Sequence, residues 1–235
     1  MDWSQDSAFF RRLDSPGTAA AGLQAMAPVD LRDGSPRRAE AGFTQLFDGT
    51  SMANWRMAGR GGFVVVDGRL ESVPGDDLGM LWCTMPTPVD FVLRLRWLRW
   101  RHEDASGVFL RFPAPPEDGA RNPVFDVIQQ GFEVQIDEVG IPGATRMHKT
   151  GAIFNQPEQR LRPRAAHPPA EWNDFEIAAQ GDRYTVQLNG EVVSSFVNPD
   201  PSRGRPSRLG APSFIGLHLY PGARVAFRNI RIRSL

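Results

Sequence analysis

The sequence predicts an all-β fold, two antiparallel sheets packed as a sandwich or jelly roll, on three observations. Short segments alternate apolar and polar residues at the two-residue period of a strand. Asp67-Gly68 and Asn189-Gly190 punctuate them as hairpin turn signals. No long helical period appears in the 235 residues, a length that is normal for a single all-β domain and sufficient to bury a sizeable core.

In chain order, residues 1–42 are rich in Ala, Gly, Pro, Arg and Asp and show no sustained period. They read as an N-terminal extension of low order, with a short helix around Ser7–Leu13. The globular domain is expected over residues 43–235. Phe63–Val66 runs into Asp67-Gly68 and returns as Arg69–Val73. Phe91–Trp100 sets Phe91, Leu93, Leu95 and Trp97 on one face, with Arg94 and Arg96 on the other. Ser106–Phe112 sets Val108, Leu110 and Phe112 against Phe109 and Arg111. Tyr184–Leu188 turns at Asn189-Gly190 into Glu191–Phe196. The last strands are Phe214–Tyr220 and Arg224–Ile232. Val225 and Phe227 are out of phase with Ile230 and Ile232, which predicts a β-bulge near Arg228-Asn229. The Pro-rich stretches Pro113–Pro123 and Arg160–Pro169 read as surface loops, either solvated connectors or binding loops.

Composition excludes several classes. The 27 basic and 27 acidic side chains balance, so no electrostatic footprint for nucleic acid exists. Lys149 is the one lysine among the cations. The single cysteine, Cys83, rules out an intrachain disulfide and CxxC metal motifs. Its apolar neighbours Leu81, Trp82 and Met85 predict a buried, inert thiol. No apolar run approaches the roughly 20 residues of a membrane span. Phe9-Phe10 meets Arg11-Arg12 with no apolar signal-peptide core, so a cytoplasmic protein is expected unless the N-terminus is processed for export. Oligomeric state is not legible.

The most informative segment is Gly131–Asp137. Alternation sends Phe132, Val134 and Ile136 inward and sets Glu133, Gln135 and Asp137 in a row on the other face, about 7 Å apart. His218 and Tyr220 oppose the core face Ile215, Leu217 and Leu219, and Arg111 opposes Val108 and Leu110. Gly151 lets a backbone approach closely beside His148 and Lys149. An ordinary solvated sheet face would read the same way. The mixture of carboxylates, amide, guanidinium, phenol and imidazole also suits a carbohydrate, whose hydroxyls need paired donors and acceptors.

Several segments carry a resemblance. Leu46–Trp55 resembles the "LF-(D/N)-G-x-x-L-x-x-W" opening of the 3-keto-disaccharide hydrolase domain family. In order, Phe63–Leu70, Asp90–Trp97, Ser106–Arg111 ("SGV-(F/Y)-x-R"), Gly131–Asp137 ("G-(Y/F)-E-x-Q-I-x-D"), Lys149–Phe154 ("(K)TGA-(I/L)-Y"), Glu171–Ile177 ("(E)WN-x-(Y/F)-x-I"), Leu188–Gly190, Gly216–His218 and Val225–Ile232 resemble its later landmarks. Phe154 stands where the family has Tyr, Arg96 where it has Glu, and His218 where it has an amide.

The resemblance implies a concanavalin-like jelly roll with its site on the concave sheet. It also implies cleavage of glycosides already oxidised at C3. A C3 ketone acidifies the C2 proton. Its removal gives an enolate, the C1 substituent leaves, and water adds back. The catalytic candidates are Glu133 first, then Asp137, as base, with His148 and Lys149 for proton transfer and charge. Arg111, Gln135, Glu171, His218 and Tyr220 are the substrate-binding candidates, with Arg111 or Lys149 on the enolate oxygen. A divalent cation held by Glu133, Asp137 and a histidine is an alternative for that last role. These residues, Glu171 and Tyr220 apart, are expected to converge on one concave surface. A non-catalytic carbohydrate-binding module of the same fold is the competing reading.

Overall fold

The computed structural model describes residues 40–117, 121–139, 144–162, 164–204 and 210–235. The helix expected near Ser7–Leu13 lies outside them. Two antiparallel sheets make up the sandwich. The larger runs in the order β3 (Gly62–Val66), β4 (Arg69–Val73), β14 (Val225–Ser234), β6 (Phe91–Arg99), β10 (Asn173–Gln180), β11 (Arg183–Leu188), β12 (Glu191–Val197) and β9 (Arg160–Leu161). β1 (Thr44–Gln45) also pairs with β14. The smaller runs β2 (Trp55–Gly59), β5 (Gly79–Cys83), β13 (Phe214–Leu219), β7 (Ser106–Phe112) and β8 (Phe132–Ile136).

Alternation explains the core. Leu93, Leu95 and Trp97 of β6 and Phe175 and Ile177 of β10 meet Val108, Leu110, Val134, Ile136 and Leu217 of the smaller sheet in one buried cluster. Each such side chain contributes about 1.5–3 kcal/mol by leaving water. Both hairpin signals form turns with positive φ at both central residues, 45° and 77° at Asp67-Gly68 and 52° and 84° at Asn189-Gly190, the geometry whose twist matches the strands. The bulge expected in β14 is present. Its register shifts between Arg228 and Arg231, and Asn229 has φ of 54°.

Two features depart from the expected pattern. Helix α1 (Val124–Gln130) follows the first Pro-rich stretch. It packs Val124 and Val127 against Met80, Phe109 and Phe112 on the outer face of the smaller sheet. Seven residues are too few to show a helical period. A second bulge falls in β7, where the register against β13 shifts between Phe214 and Ile215 and Arg111 has φ of 52°. This bulge reverses the expected facing of two residues. Phe112 joins Phe109 on the outer face, and Arg111 turns inward.

Candidate active site

The outer face of the smaller sheet is read in cross-strand rows, because antiparallel partners present their side chains on the same side. One row comprises Arg56, Trp82, Gly216, Phe109 and Glu133. The next comprises Ala58, Met80 and His218, then Gly107 and Gln135. Continuing the β13–β7 register one step past Leu217–Val108 sets His218 opposite Gly107.

Glu133 and His218 meet across β7. His218 Nδ1 lies 2.7 Å from Glu133 Oε1. The imidazole has no solvent exposure and Glu133 is 5% exposed. The ring is held between Phe109 at 4.8 Å and Tyr220 at 4.3 Å, and Ser106 Oγ donates to the His218 carbonyl. Where Glu133 is the acceptor in this contact, Nδ1 is the donor and Nε2 of a neutral ring is left as an acceptor. Nε2 is buried with no hydrogen-bond partner, and so is Oε1 of Gln135. Buried polar atoms are normally satisfied, so these two orphans in one row are exceptions.

The remaining expected residues divide. Segment 150–154 continues the sheet beyond β8. Ile153 bridges Val134, and the Phe154 amide donates to the Glu133 carbonyl. His148 precedes this segment and packs on its Phe154. Its ring lies 5.4 Å from Phe154, edge-on, and its Nδ1 accepts from the Thr145 amide. The Lys149 ammonium donates to the carbonyls of Glu138 and Val139 at 2.8 and 2.7 Å, so it closes a loop. Asp137 ends β8 in a turn, with Oδ1 accepting from the Val139 amide. Its charge also opposes the downward pull that burial exerts on the Arg99 guanidinium, behind Glu138 and Asp104. Glu171 is exposed on the approach to β10, in the other sheet.

Arg111 does not join the cluster. Its guanidinium lies between the sheets and donates to the carbonyls of Gly181, Val89 and Ala179, to Asp90 Oδ1 and to the Tyr184 hydroxyl. It stacks 5.2 Å from the Tyr184 ring. Arg111 and Glu133 thus occupy opposite sides of the smaller sheet, and the enolate-holding role expected for Arg111 is withdrawn. The cause is the bulge, which the apolar run Val108–Leu110 hides from the alternation pattern. Sequence reasoning missed Met80, Gly107 and helix α1. Gly107 had a signal, a glycine inside a strand, which marks a close approach.

A family profile described as 3-keto-alpha-glucoside-1,2-lyase-like domain matches residues 42–233. The chain belongs to that family. Among solved structures it is similar to two proteins from Parabacteroides distasonis described as candidate glycosyl hydrolases. One has a TM-score of 0.61 at 20% identity, covering 83% of this chain and 94% of that one. The other has a TM-score of 0.61 at 23% identity, covering 82% and 99%. A Griffonia simplicifolia lectin is similar in fold, with a TM-score of 0.56 at 13% identity over 81% of this chain and 98% of its own. No curated protein matches significantly. These likenesses establish the jelly-roll fold.

On the outer face of this family fold, Glu133 and His218 form a buried carboxylate–imidazole pair. Among the described residues, no three His, Cys, Asp or Glu side chains group as metal ligands. No helix among them is long and apolar enough to cross a membrane. Cys83 is buried, and burial pushes its thiol up, as expected of an inert cysteine.

Proposed function

We propose that the chain cleaves the glycosidic bond of 3-keto-glycosides by elimination, with His218 Nε2 taking the C2 proton. The observation that carries this reading is the buried imidazole whose Nδ1 is committed to Glu133 while its Nε2 has no partner. A histidine oriented by a carboxylate is a competent base near neutral pH. This moves the proton-accepting atom from Glu133, the sequence's first candidate, to His218. Glu133 then fixes the tautomer and stabilises the imidazolium that forms.

The C3 ketone makes the step accessible. Nε2 takes the C2 proton, and the C–H electron pair forms the enolate between C2 and C3. The enolate re-forms the C3 carbonyl, a C1–C2 double bond forms and the C1–O bond breaks. The departing alkoxide takes a proton from the imidazolium or from water. The product is a 2-hydroxy-3-keto-glycal, and addition of water across C1 and C2 completes a hydrolysis. In this reading Gln135, in the same row as His218, bonds a substrate hydroxyl or the C3 oxygen. The family match and the sugar-related fold neighbours support the substrate class. Unlike ordinary glycosidases, this route needs no second carboxylate facing the first across the scissile bond.

The test is turnover of a purified 3-keto-disaccharide, with and without chelator. Substrate-dependent release of the aglycone sugar supports the reading. Glycan binding without turnover would replace it with a non-catalytic sugar-binding domain, and chelator-sensitive turnover would give the enolate oxygen to a cation.

A further inference from the structure

We propose that Gly107 is a positioning residue: its missing side chain is what lets the Glu133 carboxylate cross β7 to His218. Glu133 sits on β8 opposite Phe109, one row away from His218, and β7 lies between them. To reach Nδ1, the carboxylate must pass diagonally over position 107. A Cβ at Gly107 would fall 2.7 Å from both Cδ and Cγ of Glu133 and would overlap Oε1. Carbon and oxygen atoms in contact sit at about 3.5 Å or more, so a methyl group and the bonded carboxylate cannot share the space. The φ of Gly107 is outside the left-handed region, so the glycine answers a demand for space, not for backbone conformation.

A second glycine makes the arrangement specific. Gly216 lies between Trp82 and Phe109 in the neighbouring row. Its added Cβ would overlap Met80 Sδ and fall 2.8 Å from Met80 Cγ. Two glycines on adjacent strands therefore hold two diagonal side chains on either side of His218. One chain is polar and completes the pair; the other is apolar and packs against the face. The same added methyl has different consequences at the two positions.

The proposal concerns placement; only its activity arm rests on the proposed reaction. The primary readout is the low-field proton resonance of the His218 Nδ1–H, in protein with labelled histidine, assigned by its loss in His218→Asn. It is expected in the wild type and in Gly216→Ala, and expected to be absent in Gly107→Ala and Glu133→Gln. In Gly107→Ala, kcat for a 3-keto-disaccharide should fall about 10²-fold or more while KM stays within a few-fold, the pattern of a disabled base. Retention of the resonance in Gly107→Ala overturns the proposal. Loss of the resonance with unchanged turnover upholds the placement and overturns the catalytic reading of the pair. Where Gly107→Ala folds poorly, a cycle with Glu133→Ala decides. Removing the Glu133 side chain frees the space, so Gly107→Ala should lower Tm less in that background; an equal loss in both overturns the proposal.

Discussion

The two sheets each carry a polar outer face, and the two faces have opposite chemistry. On the larger sheet a network of charges links neighbouring strands. Arg94 pairs with Glu40 and donates to Glu176 at 2.7 Å, Gln187 donates to Glu176 at 2.8 Å, and Arg231 donates to Glu40 at 2.9 Å. Arg228 stacks 4.0 Å over Trp172, and Arg94 and Arg233 lie 4.8 and 5.0 Å from the Phe43 ring. On the smaller sheet the polar groups are few, buried and incompletely satisfied, with His218 Nε2 and Gln135 Oε1 unpartnered. Paired and wet side chains hold a surface together at little net gain. Buried orphans cost free energy that only a ligand or water recovers. We propose that this contrast distinguishes a structural face from a functional one where both read as alternating strands in sequence.

Substitutions can break that contrast. The largest expected effect is on turnover at the smaller sheet. His218→Asn or Glu133→Gln should lower kcat for a 3-keto-glycoside by about 10²–10⁴ with a folded protein, measured by aglycone release. Unchanged turnover in both would remove the pair from catalysis. Next comes Arg111→Met, whose effect should fall on stability. Three backbone carbonyls lose their donor, costing on the order of 3 kcal/mol in a denaturant melt, while turnover per folded molecule stays within a few-fold. A selective loss of kcat there would return Arg111 to the site. The smallest effect belongs to the larger sheet. Glu40→Gln should cost less than about 1 kcal/mol, since the Glu40 carboxylate itself is more than a third exposed and solvent-screened. The Glu40 carboxyl is held below its ordinary 4.5, first by the Arg231 hydrogen bond and then by Arg94. Its folded value is depressed, so its stabilisation is present above 4.5 and is lost as pH falls through the lower folded value. The Tm difference between wild type and Glu40→Gln should shrink in that direction; a difference that grows on acidification contradicts the assignment.

Much of this was legible because period 2 and turn chemistry are local. The face of Trp97, Val134, Ile136 and Leu217, the two hairpins and the β14 bulge followed from residue order alone. What escaped depends on relations between strands. The β7 bulge inverted Arg111 and Phe112 unannounced, because Val108, Phe109, Leu110 and Phe112 are all apolar and show no break in phase, unlike the residues of β14. Register across β8, β7 and β13 brought Glu133 to His218, and no spacing in the chain encodes it. Lys149 and Asp137 looked chemical but are occupied by the loop between them. Glu40, just ahead of the expected domain, ties β6 to β14 through Arg94 and Arg231, a contact between strands that residue order does not show.

The most direct measurement is the isotope content of the product made in D2O. If His218 on the smaller sheet removes the C2 proton and water then adds across C1 and C2, the released 3-keto sugar carries one deuterium at C2. This should exceed the background exchange of the free keto sugar and be absent when His218→Asn replaces the wild type. A product released by the wild type with protium retained at C2 would mean that the bond is broken by direct displacement, and would contradict the account.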